Sequence, residues 1–214
     1  MADVYPIALD LRGRRCLVIG GGRVARRKVE ALLECGAEVT VIAPEAVQPL
    51  RELAGQKRLT WQQRPYRTGD LEGAFLVIGA TNDESANRAV AQEARAGRAL
   101  VNIVDAPELC DFFLPAVARR GRIAVAVSTG GASPALAKRL RQKFEAILGE
   151  EYGELAELLH RLRQEAAPRA SKGRQAAGAW QAVLDSDVLE LLAAGKREEA
   201  EARARECLRS SRSE

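Results

Sequence analysis

Residues Gly20-Gly21-Gly22-Arg23-Val24-Ala25 stand between a short apolar run, residues 15–20, and a stretch with helical apolar spacing, residues 24–35. The order matches G-x-G-x-x-A, and each position has a physical task. Gly20 permits the tight turn, Gly22 lets the backbone approach a pyrophosphate, and Ala25 allows a helix to pack closely on a strand. The helix then presents free N–H groups and the positive end of its dipole to the phosphates. A strand, glycine turn and helix in this order commit the chain to an α/β fold with a dinucleotide site. Gly20, Gly22, Arg23 and Val24 are its first candidate residues.

The following segments alternate as that fold requires. Residues 38–43, 59–62, 74–80 and 99–103 are short apolar or β-branched runs, and residues 46–54 and 84–96 have helical spacing. Strands and helices in alternation predict a Rossmann-type doubly wound parallel sheet with right-handed crossovers. Past Pro107 the pattern changes. Residues 122–128 predict one more strand, residues 129–133 a glycine-rich turn, and residues 134–148 a basic helix opened by Ser133-Pro134. The remainder reads as helical, with a break at residues 168–178 and a polar last dozen residues expected to fray. The expected organisation is a dinucleotide-binding domain (1–112), a small α+β dimerisation and substrate region (113–149) and a helical C-terminal domain (150–214).

Composition narrows the chemistry. The 214 residues are 47% hydrophobic and 29% charged, an ordinary soluble globular balance, and they include one histidine. A histidine-rich metal site is therefore excluded. Cys16, Cys35, Cys110 and Cys207 follow no disulfide or metal spacing, which suits a reducing, cytoplasmic setting. No signal pattern and no 18-residue apolar run occurs, so no membrane association is expected. Between Phe112 and Phe144 lie Arg119, Arg120, Arg122, Lys138, Arg139, Arg141 and Lys143 and not one acid, against a net charge of +4 for the whole chain. Such a run is either a solvated surface or a site for a polyanion, whether nucleic acid or a multiply carboxylated small molecule. With 4% aromatic residues, none interleaved with these cations, a single-strand binding platform is disfavoured.

Two further places on the expected ligand rim carry chemistry. The acid that commonly holds an adenosine ribose should end the second strand, but Ala43-Pro44 stand there with Glu45 beyond. Backbone groups of Ala43 and Pro44 are then the expected ribose contacts. Thr81-Asn82 follow the next strand on the same rim, as cofactor contacts or as a helix cap at Asn82 or Asp83. At the end of the last parallel strand, Asp105 is the expected acid/base, with Glu108 and Asp111 nearby. His160, in a helical ELLHRL segment, reads as a surface or interface residue.

The segments Pro6-Ile7 with LDLRG, GGGRVARRK, VTVIAP, GATND, VNIVDAPELCDFFLPA and VSTGGASPALAKRLR run in order from Tyr5 to Leu148. Together they resemble the precorrin-2 dehydrogenase / sirohydrochlorin ferrochelatase family, the N-terminal part of siroheme synthases. Residues 151–214 match loosely as a helical tail, and the chain is too short to hold the methyltransferase domain of the fused proteins. The resemblance implies NAD-dependent oxidation of precorrin-2 to sirohydrochlorin, in siroheme biosynthesis, by a homodimer. It implies Asp105 as the catalytic residue and NAD contacts at Gly22, Arg23, Val24, Ala43 and Pro44. The substrate carries eight carboxylates, which suits the acid-free basic run better than nucleic acid does. Ser128, Thr129, Gly130, Gly131, Ser133 and Arg139 are the expected tetrapyrrole-side residues. Some relatives also insert Fe²⁺, with the tetrapyrrole nitrogens as ligands and no metal site held by the protein. Two competing readings are a non-catalytic dinucleotide-sensing module and a nucleic-acid binder using residues 112–144.

Overall fold

The computed structural model describes residues 4–166 and 174–210. The chain divides into two compact units, Tyr5–Phe113 and a second that begins at Leu114.

The first unit is the expected parallel sheet. Strands β1 (Arg15–Ile19), β2 (Glu38–Ile42), β3 (Thr60–Gln62), β4 (Leu76–Gly79) and β5 (Leu100–Ile103) run in the order β3-β2-β1-β4-β5, all parallel. Helices α1 (Arg23–Glu34), α2 (Gln48–Gly55) and α3 (Glu84–Ala96) connect them. Alternate residues of each strand feed opposite faces, because strand side chains have a period of two. On one face Cys16, Val18, Val39 and Val41 pack with Ala25, Val29 and Leu32 of α1 and Leu50 of α2. On the other, Leu17, Ile19, Val77 and Val101 pack with Val90, Ala91 and Ala94 of α3. Chain order reverses between β1 and β4, so the crevice outside their carboxyl ends is the place where such sheets bind ligands.

The β3–β4 connection carries no helix and is fastened by side chains instead. Arg64 grips Asp70 through two hydrogen bonds of 2.7 Å. Glu93 of α3 accepts from the amides of Gly69 (3.0 Å) and Leu71 (2.8 Å) and from the Tyr66 hydroxyl.

The second unit opens with an antiparallel hairpin, β6 (Ala116–Arg120) and β7 (Ile123–Val127), turning at Gly121 with φ +51°. Strand β6 was not expected. Its AVARR sequence ends in charges, and it is defined by its pairing with β7 rather than by any apolar pattern of its own. Helices α4 (Pro134–Ile147) and α5 (Glu150–Ala166) lie against the hairpin. Helices α6 (Arg174–Leu184), α7 (Val188–Ala193) and α8 (Arg197–Ser210) join α5 around Leu155, Leu158, Leu162, Val183, Val188 and Leu192. The break expected at residues 168–178 falls partly outside the described residues, and from Arg174 the chain is already helical. Of the last dozen residues, expected to fray, 203–210 are helical. Helix α8 continues to Ser210 because Ala200 and Ala204 are fully buried, while residues 211–214 lie outside the description.

Candidate functional site

The glycine turn divides its labour differently from the sequence expectation. Gly20 has φ +121°, and a Cβ there would lie 2.2 Å from the Ala80 carbonyl oxygen. It therefore serves the close approach of the β1 and β4 ends. Gly21, the unassigned position of the motif, is equally constrained: its Cβ would meet the Glu45 carbonyl oxygen at 2.0 Å, and its own carbonyl accepts from Val47 N at 2.9 Å. The loop after β2 is thus docked on the turn. Gly22 is the N-cap of α1 and faces open space, with nothing within 4 Å of a Cβ. No side chain caps this helix and its first turn holds no acid. Free amides at an uncapped terminus, approached through a glycine lacking any neighbour, fit a dinucleotide pyrophosphate. Arg23 and Val24 begin the helix beside them, Arg23 exposed and Val24 half-buried.

At the end of β2, Ala43 is buried and both of its backbone groups are engaged. Its N–H donates to Gln62 O at 3.2 Å, and its carbonyl accepts from Trp61 Nε1 at 3.0 Å. The second lone pair of that carbonyl and the exposed Pro44 remain for a ribose. Trp61, eighteen residues away, braces this edge and was not expected.

At the end of β4 the helix cap proves to be Asp83, which accepts from Ser85 N (2.9 Å) and Ala86 N (3.1 Å). Asn82 is exposed and makes no side-chain hydrogen bond among the described residues, so it faces the rim unengaged. Thr81 Oγ1 accepts from Asp83 N at 3.2 Å, and its carbonyl accepts from Asn87 Nδ2 at 3.0 Å.

Asp105 follows β5 in a left-handed conformation, φ +61°, uncommon for a residue with a side chain. Its turn is held from behind by the Cys110 thiol. Cys110 Sγ accepts from Ile103 N at 3.2 Å and lies 3.2 Å from Ile103 O and 3.3 Å from Ala106 O, to which its S–H can donate. Asn102 Nδ2 donates to Phe112 O at 2.9 Å and reaches Cys110 Sγ at 3.5 Å. Burial pushes the Cys110 thiol up, so it stays a neutral donor at pH 7. Asn87 and Asn102 are the two buried polar side chains among the described residues, and each braces one rim segment. A lone asparagine within an apolar pattern was the available signal. Asp111 is occupied structurally, accepting from Arg95 Nε at 3.1 Å and Val101 N at 3.3 Å, while Glu108 sits exposed on a short 3₁₀ turn. Half-buried Lys28 of α1 was also unforeseen. Burial and the neighbouring Arg27 hold its amine below the ordinary lysine range, while Asp105 and Cys110 pull it the other way.

The remaining candidates lie in the second unit. Ser128 Oγ accepts from Gly130 N at 3.2 Å. Thr129 Oγ1 accepts from Ser133 N and donates to Ser133 O, both at 3.1 Å, and Ser133 Oγ caps α4 at Leu136 N. Gly130 and Gly131 have φ of +59° and +83°, as the turn requires. Arg139 is exposed. The basic run is less bare in space than in sequence: Arg120 pairs with Glu150 at 3.1 Å, Arg122 with Glu157 at 3.0 Å, and Arg141 with Glu145. Arg119, Lys138, Arg139 and Lys143 have no acidic partner among the described residues. His160 shares a hydrogen bond of 2.9 Å with Gln164 on α5. Among the described residues no group of three His, Cys, Asp or Glu could hold a metal ion.

Three family models match in succession: putative NAD(P)-binding over residues 7–116, sirohaem biosynthesis protein central over 120–147, and sirohaem synthase dimerisation region over 151–208. The last falls on α5–α8, C-terminal to the 113–149 stretch expected to pair. The siroheme synthase of Nitrosococcus oceani is 43% identical over 196 residues, 92% of this chain and 42% of that protein. The siroheme synthase of Methylococcus capsulatus is 42% identical over 93% of this chain and 42% of its own length. The chain thus spans about two fifths of these curated relatives. A solved structure of SirC, a precorrin-2 dehydrogenase, superposes with a TM-score of 0.78 at 29% identity, covering 95% of this chain and 100% of that one.

Proposed function

The chain belongs to the siroheme synthase N-terminal family, whose putative NAD(P)-binding, central and dimerisation regions it carries in order, and we propose that it is an NAD-dependent precorrin-2 dehydrogenase. It would oxidise precorrin-2 to sirohydrochlorin in siroheme biosynthesis. The observation that carries this reading is Asp105, held in a left-handed turn at the end of β5 on the same edge of the sheet as the uncapped α1 terminus.

NAD⁺, when bound, supplies the hydride acceptor. The amides of the first turn of α1 receive the pyrophosphate, and Ala43 and Pro44 border the adenosine ribose. Thr81 and Asn82 line the rim between. Asp105 takes the proton that leaves as the substrate gives up its hydride. In this reading residues 1–112 hold the cofactor. Residues 113–149 meet the substrate through Ser128–Ser133 and Arg139, and residues 150–214 form the helical tail.

The dimerisation region supports a homodimer. Leu136, Phe144 and Ile147 lie exposed on α4 at helical spacing, an apolar stripe that suits pairing of this helix as well. We place the protein in the cytoplasm, a setting that suits cysteines forming no disulfide among the described residues.

Anaerobic incubation with precorrin-2 and NAD⁺, read by NADH absorbance and by the product chromophore, tests the activity. Turnover is expected. NAD⁺ binding without turnover would instead favour a dinucleotide-sensing module. Fe²⁺ insertion, which the siroheme synthase relatives' name suggests, is read by adding Fe²⁺ to the accumulated product. Iron enters there as a substrate, and in this reading Asp105 takes the protons that the tetrapyrrole nitrogens release.

A further inference from the structure

We propose that Asp111 and Cys110 are positioning residues for Asp105: their side chains stand in for a sixth strand along the free edge of β5 and so fix the base of the loop that carries Asp105. The inference rests on the dehydrogenase reading given above, in which Asp105 takes the proton.

Strand β5 ends the sheet, with β4 on one side only. Backbone groups of alternate residues point to opposite sides of a strand. Leu100 N donates to Phe75 O at 3.0 Å and Val104 N to Gly79 O at 2.9 Å, both toward the β4 side. Val101 and Ile103 therefore face outward, where their two amides and two carbonyls need partners. Residues 110 and 111 meet all four. Asp111 N donates to Val101 O at 2.8 Å, and the Asp111 carboxylate accepts from Val101 N at 3.3 Å. Cys110 Sγ accepts from Ile103 N at 3.2 Å and lies 3.2 Å from Ile103 O. Two side chains thus take the amides that the carbonyls of a neighbouring strand would otherwise take.

Between β5 and these clasps run residues 104–109, with Asp105 second among them at φ +61°. Val104 ties the start of the loop to β4, and the clasps tie its return to β5. Within it, Ala106 N donates to Ile103 O at 3.3 Å and Cys110 N to Pro107 O at 3.1 Å. Arg95 of α3 donates to Asp111 Oδ1 at 3.1 Å, which leaves Oδ2 for Val101 N. A displacement of about 1 Å in a reacting group costs on the order of 100-fold in rate. A loop closed at its base in this way bears on kcat rather than on binding.

Steady-state kinetics with precorrin-2 and NAD⁺, run well below the melting temperature of each variant, test the proposal together with amide exchange read by NMR. Asp111→Ala leaves Val101 N–H without its acceptor. Its kcat should fall about tenfold, with the precorrin-2 KM and the NAD⁺ dissociation constant within about twofold of the parent. Asp111→Asn keeps an acceptor oxygen and should return kcat to within about threefold of the parent. Cys110 and Asp111 close one base, so the double variant Cys110→Ala/Asp111→Ala should lose less than the product of the two single losses. The Val101 amide should exchange at least about tenfold faster in Asp111→Ala, while Val77 of β4 keeps its protection. If Asp111→Ala keeps the parental kcat, if its losses fall equally on KM or NAD⁺ binding, if Asp111→Asn is no better than Asp111→Ala, if the double variant's loss is multiplicative, or if Val101 exchange is unmoved, the proposal is overturned and the dehydrogenase reading stands. If the parent protein itself shows no turnover, both are overturned.

Discussion

The Cys110 thiol accepts the amide hydrogen of Ile103 at 3.2 Å and thereby closes the eight-residue turn, 103–110, on which Asp105 is carried. The same sulfur also lies within hydrogen-bonding distance of the Ile103 and Ala106 carbonyls, so one atom holds both flanks of Asp105. Cys110→Ala removes this clasp without adding bulk. It is expected to lower kcat about tenfold, leave the NAD⁺ dissociation constant within about twofold, and cost about 1 kcal/mol of stability. Steady-state kinetics beside a denaturant melt give all three. Unchanged kcat would remove Cys110 from any positioning role.

Asp105 stands at a backbone angle that glycine adopts freely and alanine does not. Asp105→Gly should therefore be more stable than Asp105→Ala by about 1 kcal/mol. Both should lose at least about 100-fold in kcat while still binding NAD⁺. Chemical denaturation ranks the stabilities, and single-turnover NADH formation reads the chemistry.

Adjacent glycines are expected to separate folding from binding. Gly22→Ala enters open space at φ −81°, so melting should be nearly unchanged while NAD⁺ affinity falls about tenfold or more, because the methyl stands where the pyrophosphate must approach. Gly21→Ala would drive a methyl into the Glu45 carbonyl and should lose about 2 kcal/mol or more of stability. Equal behaviour of the two variants would contradict this division.

The Arg64 pair holds the Asp70 carboxyl below its ordinary value of 3.8. A lowered carboxyl contributes stability that is complete above the unfolded value and is lost as pH falls through the folded one. Asp70 is 13% exposed, so screening is modest. Asp70→Asn should be about 1–2 kcal/mol less stable at pH 7, and its melting curve should converge with that of the parent protein as pH falls through the lowered folded value of the Asp70 carboxyl. A difference constant across that range would argue against the ion pair.

Introducing charge into the apolar stripe of α4 tests its part in pairing. Phe144→Glu and Ile147→Glu alter side chains that are 43% and 68% exposed, so the fold of each subunit should survive. Sedimentation analysis is expected to show a shift from dimer toward monomer in the double variant. An unchanged dimer would leave pairing to α5–α8 alone.

Much of this architecture was legible because its signals are local. β-branched runs bounded by glycine marked the parallel strands, and the glycine turn fell where its motif placed it. Asp105 could be singled out because the end of a parallel strand is a ligand rim and the lone histidine lay elsewhere. What escaped was carried by partners distant along the chain. Trp61 acts on a carbonyl eighteen residues away, and Cys110 acts on backbone seven residues before it. Neither leaves a periodic trace. Strand β6 exists only through its register with β7. The acid-free basic run was read within a window that excluded Glu145, Glu150 and Glu157, which neutralise part of it in space.

Helix α3 bears on several of these elements at once. Near its start Asn87 grips the Thr81 carbonyl, and at its end Arg95 grips Asp111, six residues beyond Asp105. One helix thus spans the Thr81 segment after β4 and the loop that carries Asp105. Its thirteen residues act as a gauge block: the separation between these two loops is machined into a single helix, so a displacement of either one is referred to the same ruler.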